Sequence, residues 1–188
     1  RIYLCGEQLA NFPSNCDGAH IKLMLPQAHQ NIPVLPTMGE QGPIWPEPQE
    51  RPIVRTYTVA KYDECSQILA VDFVKHGDNG PASRWVTQVQ IGQKIGVAGP
   101  AGPPRHDASA DYFLLITDLS GLPAVRSVLD ALPLNAHGQV WIEVQYGVDV
   151  IALTSPKGVR IHWLIRGQNL RAGDSRLLLE AIQKLPWN

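Results

Sequence analysis

The feature that most constrains the fold is the segment "GPAGPPRHDASA", residues 99–110. Proline and glycine at this density interrupt helices and strands, so the segment is predicted to separate two structural units. Before it, the chain carries short strand-sized runs bounded by turn residues. After it, strand and helix patterns alternate. We therefore predict two domains, residues 1–105 and residues 106–188.

The first part of the chain has the pattern of a small antiparallel β domain. Its apolar runs are short, and Gly, Pro, Asn or Asp bounds each of them. Several short strands joined by turns predict an antiparallel barrel. The runs are "RIYLCG", "HIKLMLP", "IVRTYTVAKY", "QILAVDFVKHG" and "QKIGVAGP".

Between the second and third runs lies a proline-rich segment, residues 26–52, with seven of the sixteen prolines. Proline has no backbone N–H to donate to a sheet, so a long surface loop is predicted here. A loop of this length is either an insertion without a role or a lid or binding element.

The second part of the chain has the pattern of an α/β domain. "DYFLLITD", "GQVWIEVQY" and "VRIHWLIRG" are strand patterns, and "GLPAVRSVLDAL" and "DSRLLLEAIQKL" are amphipathic helix patterns. This order predicts a mainly parallel sheet covered by helices. The first helix is predicted to bury one apolar face, made of Leu122, Val125, Val128, Leu129 and Leu132.

Both ends of the chain fall inside this pattern. The sequence opens on a strand pattern without an initiator methionine and stops directly after a helix pattern. A helix of an α/β domain is normally followed by another strand. We therefore expect that the two-domain fold is truncated at both ends in this chain.

Composition excludes several classes of function. A net charge of −1 and no basic run argue against a nucleic-acid partner, and the longest apolar runs are too short to insert into a membrane. Three cysteines without a CxxC motif suit a reducing compartment, and the six histidines form no HxH or HxxxH pair. We predict no metal site, so that any electron transfer requires an organic cofactor.

The motif "RTYT" combines groups that suit a flavin nucleotide. On a strand, Arg55 and Tyr57 share one face, whereas Thr56 and Thr58 share the other. A guanidinium pairs well with phosphate, a tyrosine ring can stack on a flat ring, and a threonine hydroxyl can bond a ring heteroatom. The alternative is an exposed arginine beside a core tyrosine.

The stretch "HGDNGPASRW" predicts an anion site. Gly80 allows close backbone approach, and Pro81 suits the first position of a helix. The N–H groups of Ala82, Ser83 and Arg84 would then point outward from a helix N-terminus, where a cofactor pyrophosphate is a suitable ligand. The alternative is a capped turn that binds nothing.

Together with "RTYT" and "GQKIGVAGPAG", the stretch "LAVDFVKHGDNGPASRW" strongly resembles the siderophore-interacting proteins. These are FAD-containing ferric-siderophore reductases of the ferredoxin-reductase-like superfamily. "HIKLMLP", "DYFLLITD", "GLPAV" and "HWLIR" fit the same family in order, so the resemblance covers nearly the whole chain. It implies an N-terminal antiparallel FAD-binding barrel and a Rossmann-like NAD(P)-binding domain.

The resemblance also implies an activity and a flavin site. Electrons would pass from NADPH or NADH through FAD to a ferric siderophore, releasing Fe(II) for iron acquisition, with no side chain acting as a catalytic group. Tyr57 would lie on the isoalloxazine ring, with Thr58 near its reactive nitrogen. The implied FAD-binding residues are Arg55, Tyr57, Thr58, Asp72, Val74, His76, Pro81, Ala82, Ser83 and Trp85.

The nicotinamide site implied by the resemblance is the turn after the first α/β strand. The family usually reads Gly-Asp-Glu-Thr-Ala-Leu-Pro-Ala there, and this chain reads "TDLSGLPA". Asp118 and Leu122 are kept and Ser120 retains a hydroxyl, so these three are predicted to bind nicotinamide. Leu119 and Thr117 replace the family's acid and glycine.

Substrate and partners are less defined by the sequence. Siderophores are often anionic, so basic residues are expected near an open flavin edge, and we predict Lys22 and Arg166. The alternative for each is a solvated surface charge. Ferredoxin is a second electron donor to consider, and the predicted location is the bacterial cytoplasm. Two further hypotheses are a flavin reductase with a protein donor and a flavin- or siderophore-binding module with weak reductase activity.

Overall fold

The structure is a computed structural model that describes residues 1–75, 80–102, 107, 109–168 and 174–185. The chain divides into two compact units, Arg1–Pro103 and Pro104–Asn188.

The first unit is built on an antiparallel sheet. Within the described residues the sheet has five strands in the order β1-β6-β5-β2-β7, curled into a half-barrel. Two 3-residue strands, β3 and β4, form a separate hairpin. The elements are β1 Ile2–Leu4, a 3-10 helix Glu7–Asn11, β2 His20–Leu25, β3 Thr37–Gly39, β4 Gly42–Ile44, β5 Ile53–Asp63, β6 Ile68–Val71, α1 Pro81–Gln88 and β7 Gly96–Ala98.

Register and burial together give the inner face of this sheet. In the β2–β5 pair Ile21 lies opposite Tyr57, and Leu23 lies opposite Arg55. Ile21 and Leu23 are buried in a core cluster that also contains Val59. Alternate residues of a strand point to opposite faces, so Arg55 and Tyr57 lie on the core side of β5.

The proline-rich segment is more ordered than predicted. A continuous loop was expected over residues 26–52, but β3 and β4 form a hairpin there, with Met38 opposite Pro43. The prediction of a continuous loop was wrong because each strand of an isolated pair has one edge without a partner strand. Along that edge no backbone N–H has to be donated. A proline can occupy such an edge position.

The strand predicted around "QILAVDFVKHG" is shorter than expected. β6 ends at Val71, and the chain from Asp72 to Lys75 is irregular. Phe73 therefore does not continue the strand, although its ring still packs against the core cluster.

The second unit contains a parallel three-stranded sheet in the order β10-β9-β8 within the described residues. A parallel α/β layer was predicted, and the fold confirms it. The elements are β8 Phe113–Asp118, a 3-10 helix Leu119–Gly121, α2 Leu122–Ala131, β9 His137–Val144, a 3-10 helix Gly147–Asp149, β10 Gly158–Ile165 and α3 Arg176–Gln183.

Helix α2 forms as its apolar spacing requires. Gly121 precedes it, and Pro123 lies in its first turn, where the missing N–H costs no intrahelical bond. The predicted apolar face is buried against Val140, Ile142 and Val144 of β9 in one core cluster. That face consists of Leu122, Val125, Val128, Leu129 and Leu132.

Candidate functional site

Three aromatic side chains of the first unit, Tyr57, Phe73 and Trp85, form a row. The ring of Tyr57 lies 4.2 Å from the ring of Phe73, and the ring of Phe73 lies 5.9 Å from that of Trp85, centroid to centroid. Tyr57 comes from β5, Phe73 from the irregular stretch that follows β6, and Trp85 from α1. Tyr57 and Trp85, two predicted FAD-binding residues, are thus brought to the same place.

The phenol of Tyr57 is half-buried in this row. Burial raises its pKa above the ordinary tyrosine value, and the nearby Arg55 charge acts weakly in the opposite direction. Tyr57 therefore stays neutral at physiological pH and offers an uncharged ring for stacking.

Arg55 lies on the same side of β5 as Tyr57, and its side chain is exposed. Its Nη1 donates to the carbonyl oxygen of Val54 at 2.8 Å. The guanidinium thus has donors left for a phosphate, which is the role predicted for it.

Helix α1 begins as its sequence predicts. Gly80 is the N-cap residue in extended conformation (φ −153°), and Pro81 starts the helix. The first intrahelical bond runs from Arg84 N to Gly80 O at 2.9 Å. The N–H of Ala82, inside the first turn, has no partner within the helix, as at any helix N-terminus.

The side chains at this helix start face inward. Ala82 and Ser83 are only 8% and 5% exposed. Ala82 belongs to the core cluster of this unit, and the contact of the Ser83 hydroxyl with a pyrophosphate stays a prediction. The backbone of the first turn is the part left for an anion.

The stretch after β6 carries three of the predicted FAD-binding residues, Asp72, Val74 and His76. Arg1 Nε and Nη2 donate to the two carboxylate oxygens of Asp72 at 2.7 and 2.8 Å. This pairing follows from the β1–β6 register, which places Ile2 opposite Val71. The Asp72 carboxylate is thus paired with Arg1, and its contact with FAD stays a prediction. Val74 is half-buried, and His76 lies outside the described residues.

Lys22 and Thr58 lie on the opposite side of the sheet from Tyr57. Lys22 is exposed, and its Nζ donates to Thr56 Oγ1, its register partner, at 2.5 Å. Thr58 is half-buried opposite His20. The structure therefore places the predicted substrate cation beside the two threonines of "RTYT".

The polar side chains of the turn after β8 form hydrogen bonds within the turn. Asp118 Oδ1 accepts bonds from Ser120 N at 2.8 Å and from Ser120 Oγ at 2.5 Å. The Thr117 hydroxyl, which stands where the family has glycine, fills the space beside Gly121, where a Cβ would collide with it. Asp118 and Ser120 are exposed, but their polar groups bind each other.

Leu122 was predicted to bind nicotinamide, and the structure corrects this for its side chain. The side chain is 6% exposed and belongs to the core of the second unit. Leu122 is the first residue of α2, and the apolar face of that helix begins with it. Only its backbone is left for a ligand.

Arg166 was predicted to bind substrate, and the structure places it in a buried ion pair. Its Nη1 donates to Glu143 Oε1 at 3.0 Å, and its Nη2 donates to Gln145 Oε1 at 3.1 Å. The two ionic side chains are 11% and 5% exposed. Arg166 directly follows β10 and lies beside the end of β9, which carries Glu143. The Arg166 guanidinium is thus paired with Glu143 inside the second unit.

Two residues important to these arrangements were missed as site residues from the sequence. Phe73 packs against the ring of Tyr57. The sequence signal that could have identified it is the apolar alternation Leu69, Val71, Phe73. Glu143 neutralises Arg166, and the signal was an acid in the middle of the otherwise apolar run "VWIEV".

Two further observations concern metals and membranes. Clusters of three or more His, Cys, Asp or Glu side chains that could bind a metal ion are absent from the described residues. Every helix in the described part of the chain is too short or too polar to span a bilayer.

Comparison with known proteins decides the family. Residues 1–104 match the family model of the siderophore-interacting FAD-binding domain, and residues 110–188 match that of the siderophore-interacting protein. The chain belongs to the siderophore-interacting protein family.

Relatives in this family include named reductases. The chain is 36% identical over 186 residues to ferric vibriobactin reductase ViuB of Vibrio cholerae, covering 99% of this chain and 67% of that protein. It is 38% identical over 180 residues to an NADPH-dependent ferric-chelate reductase of Escherichia coli, covering 94% and 68%.

Solved structures agree with the fold. A siderophore utilization protein from T. fusca aligns with a TM-score of 0.86 at 32% identity, covering 99% of this chain and 70% of that one. A ferredoxin-NADP+ reductase from Plasmodium falciparum aligns over 89% of this chain and 63% of that one, with a TM-score of 0.56 at 15% identity. The second likeness shows that the siderophore-interacting chain has a ferredoxin-reductase-like fold.

Proposed function

We propose that this siderophore-interacting protein is an FAD-dependent reductase that transfers electrons from NADPH or NADH to a ferric siderophore and so releases Fe(II). The observation that carries the proposal is the family match of both units, supported by relatives named as ferric vibriobactin reductase and NADPH-dependent ferric-chelate reductase.

The first unit fits FAD by the chemistry of its side chains. An exposed guanidinium at Arg55 and the N-terminal turn of α1 suit the pyrophosphate. Tyr57, backed by Phe73, offers a neutral ring for stacking. We assign FAD binding to Arg55, Tyr57, Thr58, Trp85 and the backbone of residues 80–82. His76 stays a prediction from the resemblance.

The chemistry of the reaction explains the need for this cofactor. A nicotinamide gives up electrons in pairs, whereas Fe(III) accepts one, and a bound flavin supplies the exchange between the two. The protein's own residues would hold and orient the ring, with the neutral phenol of Tyr57 as a stacking surface. We propose no side chain as nucleophile or general base.

For the electron donor we propose NADPH or NADH bound at the turn after β8. Asp118, Ser120 and the backbone of Leu122 lie at the carboxyl end of a parallel strand, where open α/β sheets bind ligands. Ferredoxin is the alternative donor, and the same assay run with reduced ferredoxin distinguishes it.

For location we propose the bacterial cytoplasm. Cys5, Cys16 and Cys65 are all free thiols, which suits a reducing compartment.

An anaerobic two-step titration tests the proposed function. FAD-loaded protein should lose its yellow absorbance when NADPH or NADH is added and regain it when a ferric siderophore follows, with Fe(II) trapped by a chromogenic chelator. A protein that cannot be loaded with FAD would overturn the proposal. So would a loaded protein that no nicotinamide and no ferredoxin can reduce.

A further inference from the structure

Exposed apolar side chains are concentrated in the proline-rich segment of the first unit. Between residues 32 and 45, six large apolar side chains are at least 39% exposed. A cluster of exposed apolar side chains on a soluble domain is typical of an interaction site. The six residues are Ile32, Val34, Leu35, Met38, Ile44 and Trp45.

The hairpin of β3 and β4 presents two of these side chains on one face. Met38 lies opposite Pro43, and Trp45 is two residues beyond Pro43, so the alternation of the chain places Met38 and Trp45 on the same side. Met38 is 81% exposed and Trp45 is 40% exposed. Methionine and tryptophan are enriched in protein interfaces, because methionine adapts its shape and tryptophan buries a large ring. We call the surface of Met38 and Trp45 the hairpin patch.

The segment that carries the hairpin patch is tied down at its base. Gln27 Nε2 donates to the carbonyl oxygen of Arg51 at 2.7 Å, and Arg51 Nε donates to the carbonyl oxygen of Pro46 at 3.0 Å. Leu35 packs against β7, since a Cβ at Gly96 would collide with Leu35 Cδ2. An isolated two-stranded hairpin is only marginally stable in water, so these contacts help to hold the patch in one conformation. A surface that is ordered in advance loses less entropy when it binds a partner.

The charge around the hairpin patch is negative. Residues 31–50 contain three acidic residues and no lysine, arginine or histidine. Glu40 is two residues from Met38, and Glu47 is two residues from Trp45. Both carboxylates are exposed, as is that of Glu50, and none of the three forms an ion pair within the described residues. A ligand that covers the patch therefore meets carboxylates on both sides of it.

We propose that the hairpin patch docks a cationic amphipathic segment of a partner protein. Apolar side chains of that segment would lie against Met38 and Trp45, and its lysine or arginine side chains would pair with Glu40 and Glu47. A cation over the exposed indole ring of Trp45 is a further favourable contact. The inference goes beyond the proposed function and does not depend on it, because none of these residues is assigned to FAD, nicotinamide or the siderophore.

The charge also decides between possible occupants. An anionic membrane surface would be repelled by the carboxylates of Glu40, Glu47 and Glu50. A second copy that met the patch about a two-fold axis would place the same acidic residues against each other, because such an interface is self-complementary. Of the three occupants, a cationic amphipathic segment matches both the apolar surface and the charge.

Synthetic peptides test the docking with the full chain. The cationic probe is an amphipathic peptide of leucine and lysine, and the acidic probe has glutamate in place of each lysine. Fluorescence anisotropy of the labelled peptides should give a Kd at least about tenfold lower for the cationic probe. That Kd should rise with ionic strength, because salt screens exposed charges. Equal Kd values for the two probes would overturn the inference.

Apolar variants show whether the cationic probe binds at the hairpin patch. Met38→Ser and Trp45→Ser should each raise its Kd about fivefold to tenfold. Leu134→Ser, which alters a side chain that is 92% exposed in the second unit, is the matched control and should leave the Kd unchanged. All three side chains are exposed, so the Tm should stay that of the natural protein. If Met38→Ser and Trp45→Ser bind the probe as the natural protein does, the inference is overturned.

Charge variants test the acidic side of the proposal. The double variant Glu40→Gln with Glu47→Gln should raise the Kd of the cationic probe about threefold to tenfold and weaken its dependence on ionic strength. Glu180→Gln, at an exposed position on α3, is the control and should change neither. An unchanged Kd in the double variant would contradict a cationic partner, even if Trp45→Ser weakens binding.

Two measurements test the other occupants, and a third separates the inference from the proposed function. We expect no binding to phosphatidylglycerol vesicles, and a sedimentation coefficient that is the same for the natural chain and Trp45→Ser. Vesicle binding or self-association that Trp45→Ser abolishes would overturn the inference in favour of a membrane or a second copy. Reduction of a ferric siderophore by Trp45→Ser should equal that of the natural protein. Loss of probe binding with intact reduction therefore supports docking at the patch, whereas equal loss of both would contradict a separate docking surface.

Discussion

The ring of Tyr57 lies 4.2 Å from the ring of Phe73, with an angle of 41° between their planes. Tyr57 comes from the central strand β5, and Phe73 comes from the irregular stretch after β6. This contact fixes the orientation of the tyrosine that we assign to the flavin.

Phe73→Leu should therefore weaken FAD binding. A smaller, non-aromatic neighbour leaves the Tyr57 ring less well held, and an aromatic pair contributes about 0.5–1.5 kcal/mol beyond its buried area. We expect the FAD Kd to rise about threefold to tenfold, measured by quenching of FAD fluorescence on titration with apoprotein. Phe12→Leu disturbs a similar pair with Tyr62 in the same unit and should leave the Kd unchanged. Equal loss in both variants would indicate a general effect on the fold.

Arg55→Ala should lower FAD affinity more strongly. It removes a charged donor assigned to a phosphate, and such a hydrogen bond contributes about 1.5–3 kcal/mol. Arg55→Lys should restore only part of the affinity, because an ammonium cannot pair in bidentate fashion. Arg160→Ala, at an exposed position on β10, serves as the control. Full retention of FAD by Arg55→Ala through gel filtration would count against the assignment.

Substitutions at Gly80 test the predicted anion site at the start of α1. One substitution there should raise helix stability and lower FAD affinity. An Asp at this N-cap should stabilise α1 itself by a few tenths of a kcal/mol, because a carboxylate suits both the free N–H groups and the dipole. The same carboxylate should repel a bound pyrophosphate. Gly80→Asp is therefore expected to raise the Tm of the apoprotein slightly and to lower FAD affinity.

Gly80→Asn is the matched control, because it has nearly the same shape without the charge. It should also stabilise the helix, and it should retain FAD better than Gly80→Asp. Equal FAD affinities for the two variants would show that no anion lies at this terminus. Gly80 is a better test site than Ala82, whose side chain is buried.

Arg166→Met should destabilise the second unit. It leaves the Glu143 carboxylate buried without its cation, which typically costs about 3–5 kcal/mol. The double variant Glu143→Leu with Arg166→Met should recover most of this loss. Urea unfolding curves give the free energies. A single variant with unchanged stability and a raised KM for the ferric siderophore would instead support Arg166 as a substrate residue.

The sequence predicts the fold better than it predicts individual side-chain roles. The apolar face of α2 follows from local periodicity, and it is buried in the structure. The hairpin around Met38 and Pro43 was missed, because proline content says nothing about pairs at an edge. The end of β6 at Val71 was also missed.

The pairing of Arg166 could not be predicted from the sequence for a different reason. A lone arginine after a strand looks like a surface charge unless its partner is known, and Glu143 is 23 residues away along the chain. Leu122 differs, because the apolar spacing of the helix already predicts its burial, although it also lies in a motif that looks functional. For Arg166, packing between distant residues decides the role.

The steady-state stoichiometry of iron reduction tests the central claim most directly. FAD-loaded protein is mixed with NADPH or NADH and a ferric siderophore, and both nicotinamide oxidation and trapped Fe(II) are recorded. We predict that oxidation depends on the chelate and that two Fe(II) form per nicotinamide oxidised, because Fe(III) takes one electron and the donor supplies two. Nicotinamide oxidation that is independent of the ferric siderophore, or no Fe(II) at all, would contradict the account.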